Sequence, residues 1–189
     1  MTDAADPKPT LADRLPGDPS RREMVERMLR VDHAGEYGAV RIYEGQLAVL
    51  GKSASATVIR RMAEQERNHL DTFDRLLPEH RIRPTLLSPF WHVAGFALGA
   101  ATALMGERAA MACTVAVEEV IDEHYATQAA QLGDEEPKLK AVIEEFRRDE
   151  VAHRDEALAH GAELAPGYTL LSAAVKTGSR LAIWLSSRL

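Results

Sequence analysis

At 189 residues, 46% of them hydrophobic and 28% charged, the chain has the length of one ordinary domain and enough apolar side chains to build a core. A formal net charge of −6 without any long Lys/Arg run argues against a nucleic-acid partner. The single cysteine, Cys113, excludes an internal disulfide and any metal site that needs paired thiolates, and it suits a reducing compartment.

Residues 1–19 contain Pro7, Pro9, Pro16 and Pro19 with four Asp and no apolar run. They are expected to form a flexible polar arm, without the pattern of a signal or transit peptide. From Ser20 onward, Leu29, Asp32, Glu36, Val40, Tyr43, Leu47 and Leu50 recur at helical spacing up to Gly51. A second stripe runs Val58, Ile59, Met62, Glu66, His69, Phe73, Leu76 and Leu77, with Pro78 as its expected stop. The third stretch, Pro89 to Gly106, is almost uncharged. The fourth starts near Glu107, aligns Met111, Val115, Glu118, Asp122, Tyr125, Ala129 and Leu132, and meets Gly133. A fifth opens near Glu135–Pro137, with Pro in a first turn, and aligns Leu139, Val142, Ile143, Phe146, Glu150, His153 and Ala157. After Pro166–Gly167 a last helix spans Thr169 to about Arg188. No alternating run bounded by hairpin turns occurs, so the fold is expected to be all-α with six helices.

Glu36, Glu66, His69, Glu118, Glu150 and His153 each fall on the apolar stripe of their own helix, where a core residue belongs. A buried carboxylate costs several kcal/mol unless it is paired or bound to metal. Four such groups in one core call for two divalent cations, with two neutral imidazoles completing the set. A lone Glu-x-x-His is a weak signal that chance readily supplies. Its placement here is what counts. A single Glu precedes each motif, by 30 residues from Glu36 to Glu66 and by 32 from Glu118 to Glu150, and the halves are offset by 82 to 84 residues. Tyr43 and Tyr125 each follow their single Glu by seven positions. The chain thus reads as a duplicated helix pair. This is the di-iron carboxylate pattern of ferritin-like four-helix bundles, in which two helices give one Glu each and two give Glu-x-x-His; the apolar third helix and the amphipathic last helix are expected as two extras beyond that bundle. Residues i and i+3 share a helix face, so Glu and His can reach one metal pair, with Glu36 and Glu118 as bridging or terminal ligands. Carboxylate with imidazole suits iron or manganese.

The segments Arg30-Val-Asp-His-Ala-Gly-Glu36-Tyr-Gly-Ala39, Glu66-Arg-Asn-His69, Cys113-Thr-Val-Ala-Val-Glu118-Glu119 and Glu163-Leu-Ala-Pro166 resemble the demethoxyubiquinone hydroxylase family. The likeness covers about residues 21–189. It implies a membrane-associated di-iron monooxygenase of ubiquinone biosynthesis that hydroxylates the ring of a polyprenyl demethoxyquinone with O2 and NADH-derived electrons. It implies Glu36, Glu66, His69, Glu118, Glu150 and His153 as iron ligands, and His124 and Tyr125 as positions used in electron transfer. An accessory lipid-binding protein of the quinone pathway is a possible partner on the same resemblance.

Gly35, Gly38 and Ala39 flank Glu36 and would clear a channel for a flat ring, or else allow close helix packing. No glycine-rich phosphate loop follows a strand, so electrons are expected by surface contact with NADH or from a separate reductase. Gly95-x-x-x-Gly99 reads as a packing motif. Pro89–Gly106 is 18 residues long, just short of a comfortable span, and the last helix mixes Leu181, Ile183, Trp184 and Leu185 with Lys176, Arg180 and Arg188. Monotopic attachment to the cytoplasmic face of a bacterial inner membrane is expected. The alternatives are a ferritin-like iron-oxidising or iron-storage protein and a manganese catalase. The domain division is an arm over 1–19 and one ferritin-like di-iron domain over 20–189.

Overall fold

The Ser20 hydroxyl accepts the Glu23 amide at 3.2 Å while the Glu23 carboxylate accepts the Ser20 amide at 2.6 Å. This reciprocal cap satisfies two otherwise orphaned donors and starts helix α1 (Arg21–Leu50). The computed structural model describes residues 17–189, so most of the expected arm lies outside the described residues.

Helix α2 (Ala56–Glu79) does not stop before Pro78 but carries it in its final turn. So close to the end, the ring removes one ladder bond and no more. The chain then folds back, with the Arg81 amide donating to the Pro78 carbonyl and Arg81 itself at φ 59°. Helix α3 (Ser88–Leu104) has Pro89 in its first turn, α4 (Glu107–Leu132) ends at Gly133 with φ 57°, and α5 (Pro137–Ala159) begins on its proline. A short 3-10 turn, Ala162–Leu164, which the periodicity does not reveal, leads into α6 (Tyr168–Ser186). No strand occurs among the described residues.

Helix α1 packs against α2 and α3, α4 packs against α5 and α6, and α1 also meets α4. The first two helices of each half build the ferritin-like bundle. The two extra helices, α3 and α6, each pack against the first helix of their own half. Helix α3 approaches α1 very closely, and glycines permit it. A Cβ on Gly45 would overlap the Phe96 carbonyl, one on Gly99 would overlap the Ile42 carbonyl, and one on Gly95 would lie 2.9 Å from the Gly38 carbonyl oxygen.

Two apolar clusters fill the bundle. One takes Leu29 from α1, Phe73 from α2, Leu132 from α4 and Ile143 from α5; the other takes Tyr43, Ile59, Val115 and Ala157 from the same helices. On all four helices the stretch between the clusters carries the Glu and His residues. The polar centre is thus sealed at both ends by hydrocarbon.

Candidate metal centre

Each ligand candidate sits on its helix where the stripe demands an inward side chain, and none is more than 3% exposed. His69 Nδ1 lies 3.4 Å from Glu36 Oε2 and 3.3 Å from Glu150 Oε1. His153 Nδ1 lies 2.9 Å from Glu66 Oε1 and 3.8 Å from Glu150 Oε2. Two four-residue groups result, Glu36–Glu66–His69–Glu150 and Glu66–Glu118–Glu150–His153, each with donor atoms within 4.8 Å of one another. Glu66 and Glu150 belong to both groups, so they are the carboxylates that could serve two cations at once, whereas Glu36 and Glu118 each belong to one.

The donor atoms fit cations. Glu36 Oε2, both oxygens of Glu66 and Glu150, Glu118 Oε2, and the Nδ1 atoms of His69 and His153 are all buried without a hydrogen-bond partner. Orphaned buried atoms of this kind are rare, and here they converge from four helices on one place. Burial pushes the Glu66, Glu118 and Glu150 carboxyls above their ordinary range, and neighbouring carboxylates push Glu66 and Glu118 further. Without cations the centre can lower its charge only by holding protons. Burial pulls the His69 imidazole down, but Glu150 and Glu36 outweigh it and hold the group up at about 11. Burial wins at His153, which falls below its ordinary value.

The supporting groups follow the same duplication. The outer nitrogen of His69 meets Asp149 Oδ2 at 3.1 Å, and that of His153 meets Gln65 Oε1 at 3.1 Å. Each partner immediately precedes the Glu-x-x-His of the opposite half, a signal readable in the sequence only once the halves are known to face each other. Outer acceptors of this kind turn the inner nitrogen toward a metal. The tyrosines also cross over: Tyr43 donates to Glu118 at 2.8 Å, and Tyr125 donates to Glu36. Both phenols lie above their ordinary range, chiefly through burial. Tyr125 therefore touches the centre directly, while His124, one residue earlier, points instead to Asp32, with Nε2 at 3.4 Å from Oδ1. Asp32 lies on the apolar stripe of α1, and nothing in its spacing along the chain points to a role.

A cavity of about 240 Å³ lies beside the centre. Its walls include Gly35 and Val117, the chain neighbours of Glu36 and Glu118, with Gly38, Trp91, Leu98 and Ile183 from the surrounding helices. A Cβ at Gly35 or Gly38 would meet nothing within 4 Å, so these glycines line open space, and close packing falls to Gly45, Gly95 and Gly99.

No helix among the described residues is long and apolar enough to cross a membrane. Phe90, Val93 and Leu104 of α3 and Leu170, Leu181 and Trp184 of α6 are nonetheless exposed.

Residues 23–186 match the sequence profile of the family described as Ubiquinone biosynthesis protein COQ7. The chain is 61% identical to a 3-demethoxyubiquinol 3-hydroxylase of Rhodospirillum rubrum, over 95% of this chain and 85% of that protein. It is 52% identical to the human mitochondrial NADPH-dependent 3-demethoxyubiquinone 3-hydroxylase, over 89% of this chain and 79% of that one. A mitochondrial 5-demethoxyubiquinone hydroxylase of Saccharomyces cerevisiae is 40% identical, over 87% and 78%.

Proposed function

The chain belongs to the Ubiquinone biosynthesis protein COQ7 family, and we propose that residues 20–189 form one ferritin-like domain that hydroxylates the ring of a polyprenyl demethoxyubiquinone at a di-iron centre. The observation that carries this reading is the pair of overlapping four-residue groups sharing Glu66 and Glu150. Glu36, Glu66, His69, Glu118, Glu150 and His153 would hold two iron ions. When bound, these would supply the electron transfer to O2 that no amino-acid side chain can. The reaction consumes O2, two electrons and two protons, and yields the ring hydroxyl and water.

The chain's own residues do the rest. The cavity takes the flat ring between Gly35 and Gly38 on one side and Val117 on the other, close to the ligands of both halves. Its apolar walls exclude water that would compete with the substrate. The polyprenyl tail leaves toward the exposed faces of α3 and α6, where Phe90, Leu181 and Trp184 would enter the headgroup region of a bilayer. Monotopic attachment to the cytoplasmic face of a bacterial inner membrane follows from the same surface, which also offers a place for an accessory lipid-binding partner. Tyr125, bonded to Glu36, is the group through which electrons would pass to the centre, with His124 beside it. The donor is a reduced nicotinamide nucleotide; NADH is expected, and the names of several relatives carry NADPH. An iron-storage protein or a manganese catalase has no use for an apolar cavity beside the ligands.

The experiment loads the purified chain anaerobically with ferrous iron and then supplies the demethoxyquinone, NADH and air. About two irons per chain, the carboxylate–imidazole complement of such bundles, and one oxygen incorporated per product are expected. Well under one iron per chain in every loading condition, or iron without product, overturns the reading. A lipid extract from cells lacking the chain should accumulate the demethoxy quinone.

A further inference from the structure

Among the described residues, Asp32 is the one buried carboxylate outside the ligand set. It stands one turn before Glu36 on α1. Its Oδ1 accepts from Gln128 Nε2 at 2.6 Å and faces His124 Nε2 at 3.4 Å, while its Oδ2 is buried without a partner. Gln128 Nε2 also meets His124 Nε2 at 2.8 Å. The His124 side chain is 25% exposed, so this group joins solvent to a carboxylate next to the centre. Asp32 is near enough to Glu36 and Tyr125 for their charges to act on one another.

The duplication shows what packing alone requires here. At the offset of 82 residues Gln128 matches Gln46, and Gln46 makes the same kind of bridge, donating to Thr114 Oγ1 at 3.4 Å and to the Ala110 carbonyl at 3.1 Å. Thr114 is the counterpart of Asp32, and Ile42, a wall of the cavity, is the counterpart of His124. A bridging glutamine with a neutral hydroxyl therefore suffices to hold the helices. The acid and the imidazole are surplus to packing and occur in one half only.

The chemistry needs such a pair. Each O2 reduced to water and a ring hydroxyl takes up two protons, yet every ligand is sealed from solvent. The outward nitrogens of His69 and His153 are committed to Asp149 and Gln65, and drawing protons through them would disturb the ligands. We propose that His124 and Asp32 relay solvent protons to the oxygen-reducing centre. In the neutral ring His124 Nε2 accepts the Gln128 amide. When His124 takes a proton from water, the imidazolium turns Nε2 into a donor, passes that proton to the Asp32 carboxylate and returns to neutral, and a proton leaves the Asp32 carboxyl inward toward the Glu36–Tyr125 pair. The Gln128 amide holds the two groups together. The charged groups around the relay are Glu36 on α1, Asp122 and Glu123 on α4, held by Arg147 of α5 and Arg180 of α6, and Asp74 of α2, which holds His33. The relay rests on the hydroxylase reading, since it has work to do only where oxygen is reduced.

The test uses Asp32→Thr, which copies the arrangement of the other half and keeps an acceptor for Gln128, together with His124→Ala. In the iron-loaded enzyme both should keep their iron and their KM for the quinone. Both should lose about 100-fold in kcat, with a larger solvent deuterium isotope effect, and added imidazole should restore His124→Ala. In the metal-free chain, the infrared stretch of the protonated Asp32 carboxyl, identified by its loss in Asp32→Thr, should exchange into D2O at least about tenfold more slowly in His124→Ala. Full turnover in Asp32→Thr, no rescue by imidazole with iron intact, or unchanged carboxyl exchange overturns the relay. An unaltered chain that binds iron but makes no product overturns the hydroxylase reading instead, and the metal-free exchange still reads the relay on its own.

Discussion

The six candidate ligands are legible residue by residue because a charged side chain on an apolar stripe violates the cost of burial, which a bound cation or a held proton must offset. Their outer partners were not legible. Asp149 and Gln65 look like ordinary surface positions until the opposite half is folded against them. Asp149→Asn should weaken metal binding by about 10- to 100-fold while leaving the helical circular dichroism unchanged, as measured by competition with a chelator. Removing a carboxylate shared by both groups goes further: Glu150→Ala should abolish hydroxylation with the fold retained. The metal-free chain has a defined pH response. Folded Glu66, Glu118 and Glu150 keep protons that the unfolded chain releases above about 4.5, so their contribution to stability falls as pH rises. His69 stabilises fully below 6.5 and loses that contribution as pH climbs toward about 11. His153, lowered by burial, opposes this trend only below 6.5. Above 6.5 the urea midpoint of the metal-free chain should therefore fall with pH. Metal affinity should rise over the same range, because cations displace the protons the carboxyls hold.

Among the elements, the helix starts and stops were readable from Ser20, Pro89, Pro137 and Gly133, each of which acts through its own backbone. Pro78 has the look of a helix stop but lies inside α2, because a proline in the last turn costs one bond and the chain turns there anyway. The glycines of α1 and α3 show a subtler limit. Gly35 and Gly99 look alike in sequence as helical glycines among apolar neighbours, yet one faces the cavity and the other touches a carbonyl. Gly35→Ala should stabilise the chain by about 0.4–1 kcal/mol, through the lower entropy of the unfolded state. Gly99→Ala should destabilise it by about 1–3 kcal/mol, because α3 must move off α1. Urea unfolding of the two variants checks the opposite signs. A larger group at the first position, as in Gly35→Leu, should raise the KM for the quinone without loss of iron.

Across the whole molecule, each half packs an extra helix against its first, and the cavity lies where α3 and α6 cover the line between α1 and α4. The faces these two helices turn outward carry the exposed aromatic and aliphatic side chains. Each such side chain gains about 1.5–3 kcal/mol on leaving water for an apolar medium. The double variant Phe90→Asp and Trp184→Asp should release the protein from anionic liposomes in a flotation assay while its iron content stays constant. Cosedimentation equal to that of the unaltered chain would end the monotopic reading.

Taken alone, the sequence determined the all-helical class, the six inward-facing Glu and His positions and the duplicated pairing of Glu with Glu-x-x-His. Those properties depend on periodicity along a single helix, where side chains three and four apart share a face and a misplaced charge stands out. Folding in three dimensions decided which carboxylates are shared by both four-residue groups, which tyrosine reaches which carboxylate, and that Asp32, His124 and Gln128 meet. It also decided that Gly35 opens space while Gly99 closes it. These relations join residues from different helices, and their distances depend on how the helices cross, which no spacing within one strip of sequence encodes.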